Sequence, residues 1–231
     1  MMKTCCVINL GLTDYDIAWD LQKAVVEARR KGDISDVLLL TEHSHVYTIG
    51  RGGRGDHLLA DDEALRREGV SLYQTDRGGD ITYHGPGQLV GYPILDLRGF
   101  YADVHRYLRD IEEVLIRTVA DYGIPAGRKP GFTGVWVGDA KIAAIGVKIS
   151  RWITLHGFAF NVNTDLRFFS GIVPCGIPGC QVMSLSQLCG KKIELQEVSE
   201  CLIPHFGEVF GVNIEPVSRE YLEKNVGTLT H

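Results

Sequence analysis

Two long stretches of the chain repeat apolar residues at the helical spacing of three to four positions. The first predicts a helix over residues 14–31, capped by Thr13 and ended by Gly32, with an inward stripe of Ile17, Leu21, Val25 and Ala28. The second predicts an amphipathic helix over residues 102–122, closed by Gly123, with Val104, Leu108, Ile111, Leu115 and Val119 inward. Shorter helices are expected over residues 61–68 and 195–210.

Between these helices the pattern changes to short apolar or alternating runs, which predict strands. The expected strands cover residues 4–10, 37–49 (one or two strands), 71–76, 79–83, 90–97, 133–138, 141–149 and 154–162. In the last one, large apolar residues alternate with smaller ones, which is typical of a half-buried strand. We therefore expect an α+β fold, a single domain over residues 1–231 with a central mixed, largely antiparallel sheet flanked by helices.

Composition narrows the class of protein without identifying a function. The 231 residues carry a net charge of −5 and are 45% hydrophobic, which excludes a disordered chain and gives no basic face for nucleic acid. No apolar stretch is long enough to span a membrane, and the N-terminus lacks a signal-peptide core. Six cysteines are too few for a disulfide scaffold, so we expect a cytoplasmic protein.

Glycine is over-represented, with 27 residues where average usage of roughly 7% would give about 16. Of these, 22 fall between residues 50 and 190, and five of them between residues 77 and 91. Paired glycines after Arg77 let backbone N–H groups face a ligand, although a strained hairpin with a β-bulge explains the pattern equally well. The segment matches neither a dinucleotide-binding fingerprint nor a phosphate loop. The glycine cluster at residues 50–55 has no role that the sequence identifies.

Cys175 is a candidate nucleophile because it lies in a loop, between Pro174 and Gly176. A thiol on such a turn is accessible to substrate, and the neighbouring backbone amides could stabilise a tetrahedral oxyanion. An ordinary thiol is only a few per cent ionised at neutral pH, so it needs a partner. The candidate partners are His84, His156 and Lys141, and their spacing does not choose among them.

A metal site is the competing interpretation of the cysteines. Cys175, Cys180 and Cys189 are spaced C-x4-C-x8-C, and His43 and His45 share one strand face. Structural zinc sites favour closer pairs such as C-x2-C, and the pattern offers no obvious fourth ligand. We therefore expect no metal.

Several segments closely resemble the signature sequences of lipoate-protein octanoyltransferases. They follow that family's order between about residue 37 and residue 190: 42–51 (EHSHVYTIGR), 77–93 (RGGDITYHGPGQLVGYP), 134–137 (GVWV), 141–146 (KIAAIG), 156–162 (HGFAFNV) and 172–176 (IVPCG). The resemblance implies the fold of biotin and lipoate ligases, with no bound metal and no other cofactor.

The same resemblance implies the chemistry. Cys175 would carry an octanoyl thioester, and Lys141 would be its partner. The family moves octanoyl from acyl carrier protein to a lysine of lipoyl domains, in 2-oxoacid dehydrogenases and the glycine-cleavage H protein, during lipoate biosynthesis. The positions that match its substrate-contacting segments are Arg77, Gly78, Gly79, Asp80, Ile81, Thr82, Tyr83, His84, Ala144, Ile145, Gly146, Gly157, Phe158 and Ala159. The small residues at 144, 146, 157 and 159 would leave a slot between strands for a straight acyl chain.

Three other functions are compatible with these residues. An ATP-dependent lipoate or biotin ligase would share the fold but would activate a free acid as an adenylate. An amidotransferase moving octanoate between lipoyl domains would use the same thiol with another donor. A non-enzymatic module that binds acyl chains or lipoyl domains would keep the pocket without needing the cysteine.

Overall fold

The computed structural model describes residues 2–226, so the predicted domain ends at residues 1 and 231 lie outside the described range. Its strands are β1 (Lys3–Leu12), β2 (Asp36–Glu42), β3 (Val46–Ile49), β4 (Ser71–Gln74), β5 (Ile81–His84), β6 (Gln88–Ile94), β7 (Gly127–Lys129), β8 (Phe132–Val137), β9 (Ala140–Ser150), β10 (Ile153–Asn161), β11 (Gln181–Val182) and β12 (Val212–Pro216). Its helices are α1 (Tyr15–Lys31), α2 (Asp62–Glu68), α3 (Val104–Ala120), α4 (Leu185–Cys189), α5 (Leu195–Phe210) and α6 (Arg219–Val226). Short 3-10 helices occur at Leu97–Gly99, Leu166–Gly171 and Pro174–Gly176.

The main sheet has the strand order β12-β1-β2-β6-β10-β9-β8-β7, and β11 pairs with β9. The pairings of β1 with β12 and β2, and of β11 with β9, are parallel. The remaining pairings, from β2 across to β7, are antiparallel. The predicted α+β fold with a mixed, largely antiparallel sheet is therefore confirmed.

Helices cover both faces of the main sheet. On one face α3 and α5 close a core that includes Leu115, Phe160 and Phe206, and on the other α1 and α6 close a core that includes Val25 and Leu39. Because both faces are covered, β10 is buried along its whole length. The expectation of a half-buried strand there is wrong, because the smaller residues of the alternation are buried as well.

A second, three-stranded sheet has the order β4-β3-β5 and carries its own hydrophobic cluster, to which Tyr47, Ile81 and Tyr83 belong. Strand β3 pairs antiparallel with β5, so the residues that follow Ile49 lie beside the loop that precedes Ile81. This arrangement brings the glycine cluster at residues 50–55 against residues 77–80, the Arg77 loop.

Several local expectations differ from the structure. The N-cap of α1 is Asp14, because the Thr13 hydroxyl instead donates to the carbonyl of Leu10 at 3.2 Å. Val104 is 39% exposed rather than inward. Elements β7, β11, β12, α4 and α6 were not predicted, since short elements depend on pairing and packing more than on their own pattern. Among the helices described between residues 2 and 226, none is long and apolar enough to cross a membrane.

Candidate active site

A cavity of ≈ 530 Å³ lies between the β9–β10 hairpin and the Arg77 loop. Of the residues that the sequence predicts for the site, those on its wall are Arg77, Gly78, Gly79, Asp80, Thr82, His84, Lys141, Ala144, Ile145, Gly146, Gly157, Phe158, Ala159 and Cys175. Ile81 and Tyr83 are not on the wall. Side chains alternate along β5, so these two pack into the cluster of the small sheet, and direct substrate contact by them is not supported.

Lys141 and Cys175 meet on the wall of this cavity. The Nζ of Lys141 donates to Sγ of Cys175 at 3.2 Å, and the Lys141 residue is only 4% exposed. Strand β11, which follows the cysteine, pairs with the start of β9 and places Val182 opposite Lys141. The amide of Met183 also donates to the Lys141 carbonyl at 3.0 Å. The chain on the C-terminal side of the nucleophile loop is thus tied directly to the strand that carries the lysine.

Cys175 adopts a left-handed backbone conformation, with φ 56° and ψ 19°. Such a conformation is strained for a residue with a side chain and persists only where the surroundings enforce it. The following residue, Gly176, packs against a carboxylate: a Cβ there would lie 2.6 Å from Oδ2 of Asp80. That oxygen accepts from Nδ1 of His57 at 2.5 Å, and the His57 carbonyl accepts from the amide of Val173 at 2.8 Å. Asp80 and His57 therefore anchor the turn that presents the thiol.

The backbone amides next to the thiol are already bonded. The amide of Gly176 donates to Val173 and that of Ile177 to Pro174, each at 3.0 Å. The expectation that these neighbouring amides are free to stabilise an oxyanion is wrong for these two groups, because the 3-10 turn consumes them.

Arg77 shapes its loop from within. It is 7% exposed, and its guanidinium donates to the carbonyls of Thr48 and Asp80 at 2.6 Å each and to that of Gly78 at 3.0 Å. Burial lowers its pKa below the ordinary value. A guanidinium satisfied by backbone carbonyls fixes the course of the loop.

The glycine cluster at residues 50–55 packs on the Arg77 loop. The amide of Gly50 donates to the backbone carbonyl of Asp80 at 3.2 Å, and the amide of Gly52 donates to that of Gly79 at 2.9 Å. A Cβ on Gly53 would lie 2.5 Å from Oδ1 of Asp80. The backbone at Gly50 and Gly52 approaches the Arg77 loop this closely only because glycine has no side chain, which gives these glycines a role that the sequence left unidentified.

Neither candidate histidine is bonded to the thiol. His84 donates from Nδ1 to Oε1 of Gln88 at 2.8 Å, and burial keeps its pKa well below the ordinary value. Gln88 donates onward to Asn161 at 2.9 Å, and Asn161 donates to the carbonyl of Met183 at 3.2 Å. His84 therefore begins a buried hydrogen-bond chain that ends beside the segment tied to the lysine.

His156 lies on the same cavity wall as part of a separate polar group. Its Nε2 donates to Oδ1 of Asp76 at 2.7 Å, while Lys148 donates to the other carboxylate oxygen at 2.5 Å. Burial lowers the pKa of His156 to about 4. Burial by itself raises the pKa of Asp76, but the hydrogen bonds from His156 and Lys148 outweigh it and bring that pKa below its ordinary value. Lys148 and His156 therefore join β9 and β10 to Asp76, the residue before the Arg77 loop.

The four small residues of the predicted slot all line the cavity, but for two different reasons. Ala144 and Ala159 face each other in the β9–β10 register and leave room in the wall. A Cβ on Gly146 would lie 2.9 Å from the carbonyl of Gly78, so this glycine admits the Arg77 loop. Gly157 admits the neighbouring strand β6, since a Cβ there would meet the carbonyl of Gly91.

Sequence reasoning missed several residues of the site. Tyr15 lines the cavity from α1 and stacks on His84, with 5.8 Å between ring centroids. Val104 and Phe132, both more than a third exposed, border the same cavity. The only sequence signal for Tyr15 was its place two residues before Ile17, the first residue of the apolar stripe of α1. The other two lie on elements whose relative placement the sequence does not give.

The six cysteines are all free thiols, and residues 2–226 contain no group of three or more His, Cys, Asp or Glu side chains arranged to hold a metal ion.

Comparison with known proteins identifies the class to which this fold and site belong. Residues 14–207 match the family model described as the lipoyl protein ligase A/B catalytic domain. A crystal structure of lipoate-protein ligase A bound with ATP superposes with a TM-score of 0.80 at 17% identity, covering 98% of this chain and 93% of that one. A biotin protein ligase from Aquifex aeolicus, in complex with biotin and ATP, gives a TM-score of 0.54 at 14% identity, covering 96% and 73%. At such identities these likenesses show the fold alone.

Sequence relatives place the chain more narrowly. An octanoyltransferase of Solibacter usitatus is 52% identical over 215 residues, covering 93% of this chain and 97% of the relative. An octanoyltransferase of Gloeobacter violaceus is 49% identical over 220 residues, covering 95% and 96%. The chain belongs to the octanoyltransferases of the lipoyl protein ligase A/B family.

Proposed function

We propose that this protein is an octanoyltransferase that moves an octanoyl group from acyl carrier protein to a lipoyl-domain lysine through a thioester on Cys175. The observation that carries the proposal is the 3.2 Å contact between Lys141 Nζ and Cys175 Sγ on the wall of a ≈ 530 Å³ cavity. The octanoyltransferase relatives, which match over nearly the whole chain, support the same reaction.

The cavity suits the acyl chain of such a substrate. Its wall carries apolar side chains that include Val90, Ile145, Val147 and Phe158. Burying an octanoyl chain there is favourable by roughly 0.8 kcal/mol per methylene. A wall of fixed length can therefore discriminate between chain lengths.

In the first half-reaction, the Cys175 thiolate attacks the carbonyl carbon of the donor thioester. The carbon–sulfur bond to the donor breaks, and the departing thiolate takes a proton from the Lys141 ammonium. The products are the octanoyl-Cys175 thioester, a neutral Lys141 and the free donor thiol. General acid catalysis at this step requires a proton donor beside the sulfur, where Lys141 lies.

In the second half-reaction, the acceptor lysine amine attacks the Cys175 thioester. The neutral Lys141 amine takes the proton that the nucleophile loses as the amide forms. The carbon–sulfur bond breaks, and Cys175 leaves as a thiolate beside a Lys141 ammonium. The ion pair of the free enzyme is thereby restored, and no step consumes a cofactor.

The acceptors that we propose are lipoyl domains of 2-oxoacid dehydrogenases and the glycine-cleavage H protein. The ATP-dependent ligase is the main alternative, since the fold is shared with lipoate and biotin ligases. A ligase that activates a free acid as an adenylate does not need a thiol nucleophile, whereas this chain holds a thiol in a strained turn beside a buried lysine. The two are separated by whether transfer proceeds without ATP and Mg²⁺.

The direct experiment is intact-mass spectrometry after incubation with octanoyl-acyl carrier protein in the absence of ATP. We expect the wild type to gain one octanoyl group and Cys175→Ala to gain none. Cys180→Ala is the matched control, because this free thiol lies in the same loop, and it should be acylated like the wild type. Acylation of Cys175→Ala, or an ATP requirement, would overturn the proposal.

A second measurement tests the lysine. Lys141→Met keeps a side chain of similar length without the ammonium, so alkylation of Cys175 at pH 7 should slow and both half-reactions should fail. Unchanged alkylation between pH 6 and 9 would show that Lys141 does not activate the thiol.

A further inference from the structure

Trp136 lies directly opposite Lys141 in the pairing of β8 with β9. The Nζ of Lys141 is 4.9 Å from the centroid of the indole ring, and the Trp136 residue is 5% exposed. An ammonium within about 6 Å of an indole face is attracted by the ring quadrupole, more strongly when water is excluded. The distance is within this limit and both side chains are shielded from water, so the indole ring of Trp136 stabilises the charge of a Lys141 ammonium.

The other charged and titratable groups around Lys141 are few. Cys175 is its hydrogen-bond partner, and Cys180 lies close enough that the lysine charge lowers the Cys180 pKa against the larger effect of burial, which raises it. Arg77 and Asp80 line the same cavity. Among residues 2–226, no carboxylate forms an ion pair with Lys141.

A second cation also contacts the indole ring of Trp136. The Nζ of Lys129 lies 5.0 Å from the Trp136 centroid, but Lys129 is paired with Asp139 at 2.8 Å. Lys129 therefore has its own counter-charge near the surface. Among residues 2–226, the groups that stabilise a Lys141 ammonium are the Cys175 sulfur and the indole ring of Trp136.

The proposed reaction removes one of these two partners. Once the sulfur of Cys175 is esterified it carries no charge, and the indole ring is then the remaining stabiliser of a Lys141 ammonium. A buried ammonium without a counter-charge readily gives up its proton. The strength of the ring contact therefore sets how easily Lys141 becomes the neutral amine that the second half-reaction needs.

We propose that Trp136 is a positioning residue whose indole face stabilises the Lys141 ammonium and so sets the pH range in which Lys141 accepts the proton of the incoming amine. The inference rests on the proposed thioester function and adds to it a residue that tunes both half-reactions. A stronger ring contact favours the thiolate–ammonium pair before acylation and holds the proton on Lys141 after it.

Fluorinated tryptophan tests this inference without changing the shape of the side chain. Fluorine withdraws electron density from the ring face, which weakens the cation contact. The chain has three tryptophans, so Trp19→Phe/Trp152→Phe provides a background in which only Trp136 is labelled. The comparison uses ordinary, monofluorinated and trifluorinated tryptophan at this position.

The first readout is single-turnover transfer from purified octanoyl-enzyme to an apo lipoyl domain between pH 6 and 9.5. The midpoint of the rate profile should move to lower pH with each added fluorine, by up to about 1.5 pH units if the whole contact is lost. Titration of the acceptor lysine is common to the series and does not affect the comparison. A midpoint that stays fixed, or that moves upward, would overturn the inference.

The second readout needs no acyl donor. Alkylation of Cys175 at pH 7 should slow as fluorine is added, because a weaker ammonium disfavours the ion pair. Slower alkylation in a protein that never forms an octanoyl-enzyme would support the role of Trp136 and overturn the proposed function. Equal alkylation rates and equal midpoints across the series would overturn the role of Trp136 and leave the proposed function standing.

Discussion

His43 and His156 are held as neutral imidazoles inside the folded protein, which makes its stability depend on pH. Both side chains are almost completely buried. His43 donates from Nδ1 to the carbonyl of Thr13 at 2.7 Å and accepts at Nε2 from the hydroxyl of Tyr92 at 2.6 Å. This pattern requires a neutral ring, and burial lowers the pKa of His43 to about 4, as it does for His156.

The sign follows from which state binds the proton. In the unfolded chain an imidazole titrates near its ordinary value of about 6.5, so at pH 5 the unfolded state is protonated and the folded state is not. Lowering the pH from 7 to 5 should therefore reduce the free energy of unfolding by about 2 kcal/mol for each of the two histidines. His84, whose pKa is also lowered by burial, adds a loss of the same sign. Asp76 does not contribute in this window, because its lowered pKa matters only below about pH 4.

The assay is urea denaturation at pH 7 and pH 5, followed by circular dichroism. His43→Gln and His156→Gln are the informative variants, because glutamine can donate and accept the same hydrogen bonds without titrating. Each substitution should remove about 2 kcal/mol of the pH-dependent loss, whatever it does to stability at pH 7. A double variant that loses as much stability between pH 7 and 5 as the wild type would refute the reasoning.

Two further substitutions test the site, and a third tests a buried carboxylate outside the cavity wall. Ala159→Val fills part of the cavity wall and should shift acylation from octanoyl toward hexanoyl donors by about tenfold, the worth of nearly two methylenes, measured as a ratio of kcat/KM values. Gly176→Ala would press a methyl group against Asp80. We expect slower alkylation of the Cys175 thiol and a minor loss in the free energy of unfolding. Glu112→Ala removes a buried carboxylate that accepts from the amide of Gly134 at 3.0 Å, and it should cost roughly 2 kcal/mol in urea denaturation.

Each of these substitutions has its own control or its own contradicting outcome. Equal slowing of both donors by Ala159→Val would mean that the acyl chain does not reach this wall. Gly179→Ala also lies in the loop with a left-handed backbone but has open space around it, so it separates backbone strain from contact with Asp80. Glu112→Gln keeps an oxygen for the Gly134 amide and should lose less stability than the alanine variant.

The long periodic elements could be predicted from the sequence because their apolar stripes are strong. Helix α1 begins one residue later than expected and ends where Gly32 takes a left-handed conformation, and α5 has the expected bounds. Short elements could not be predicted in this way. Strand β12 alternates polar with apolar residues over only five positions and exists because it pairs with the edge of β1. The burial of β10 on both faces likewise depends on helices remote in sequence.

The sequence by itself determined the family, the α+β class, the glycine-rich loop and the candidate nucleophile Cys175, because these are properties of local segments. It left three partners open for Cys175. The tertiary structure alone brought Lys141 to within 3.2 Å of the thiol, by pairing β11 with the start of β9, while the hydrogen bonds of both histidines go to other groups. It also gave Gly50 and Gly52 their role. Contacts between segments far apart in the chain depend on strand pairing and packing, which no local pattern encodes.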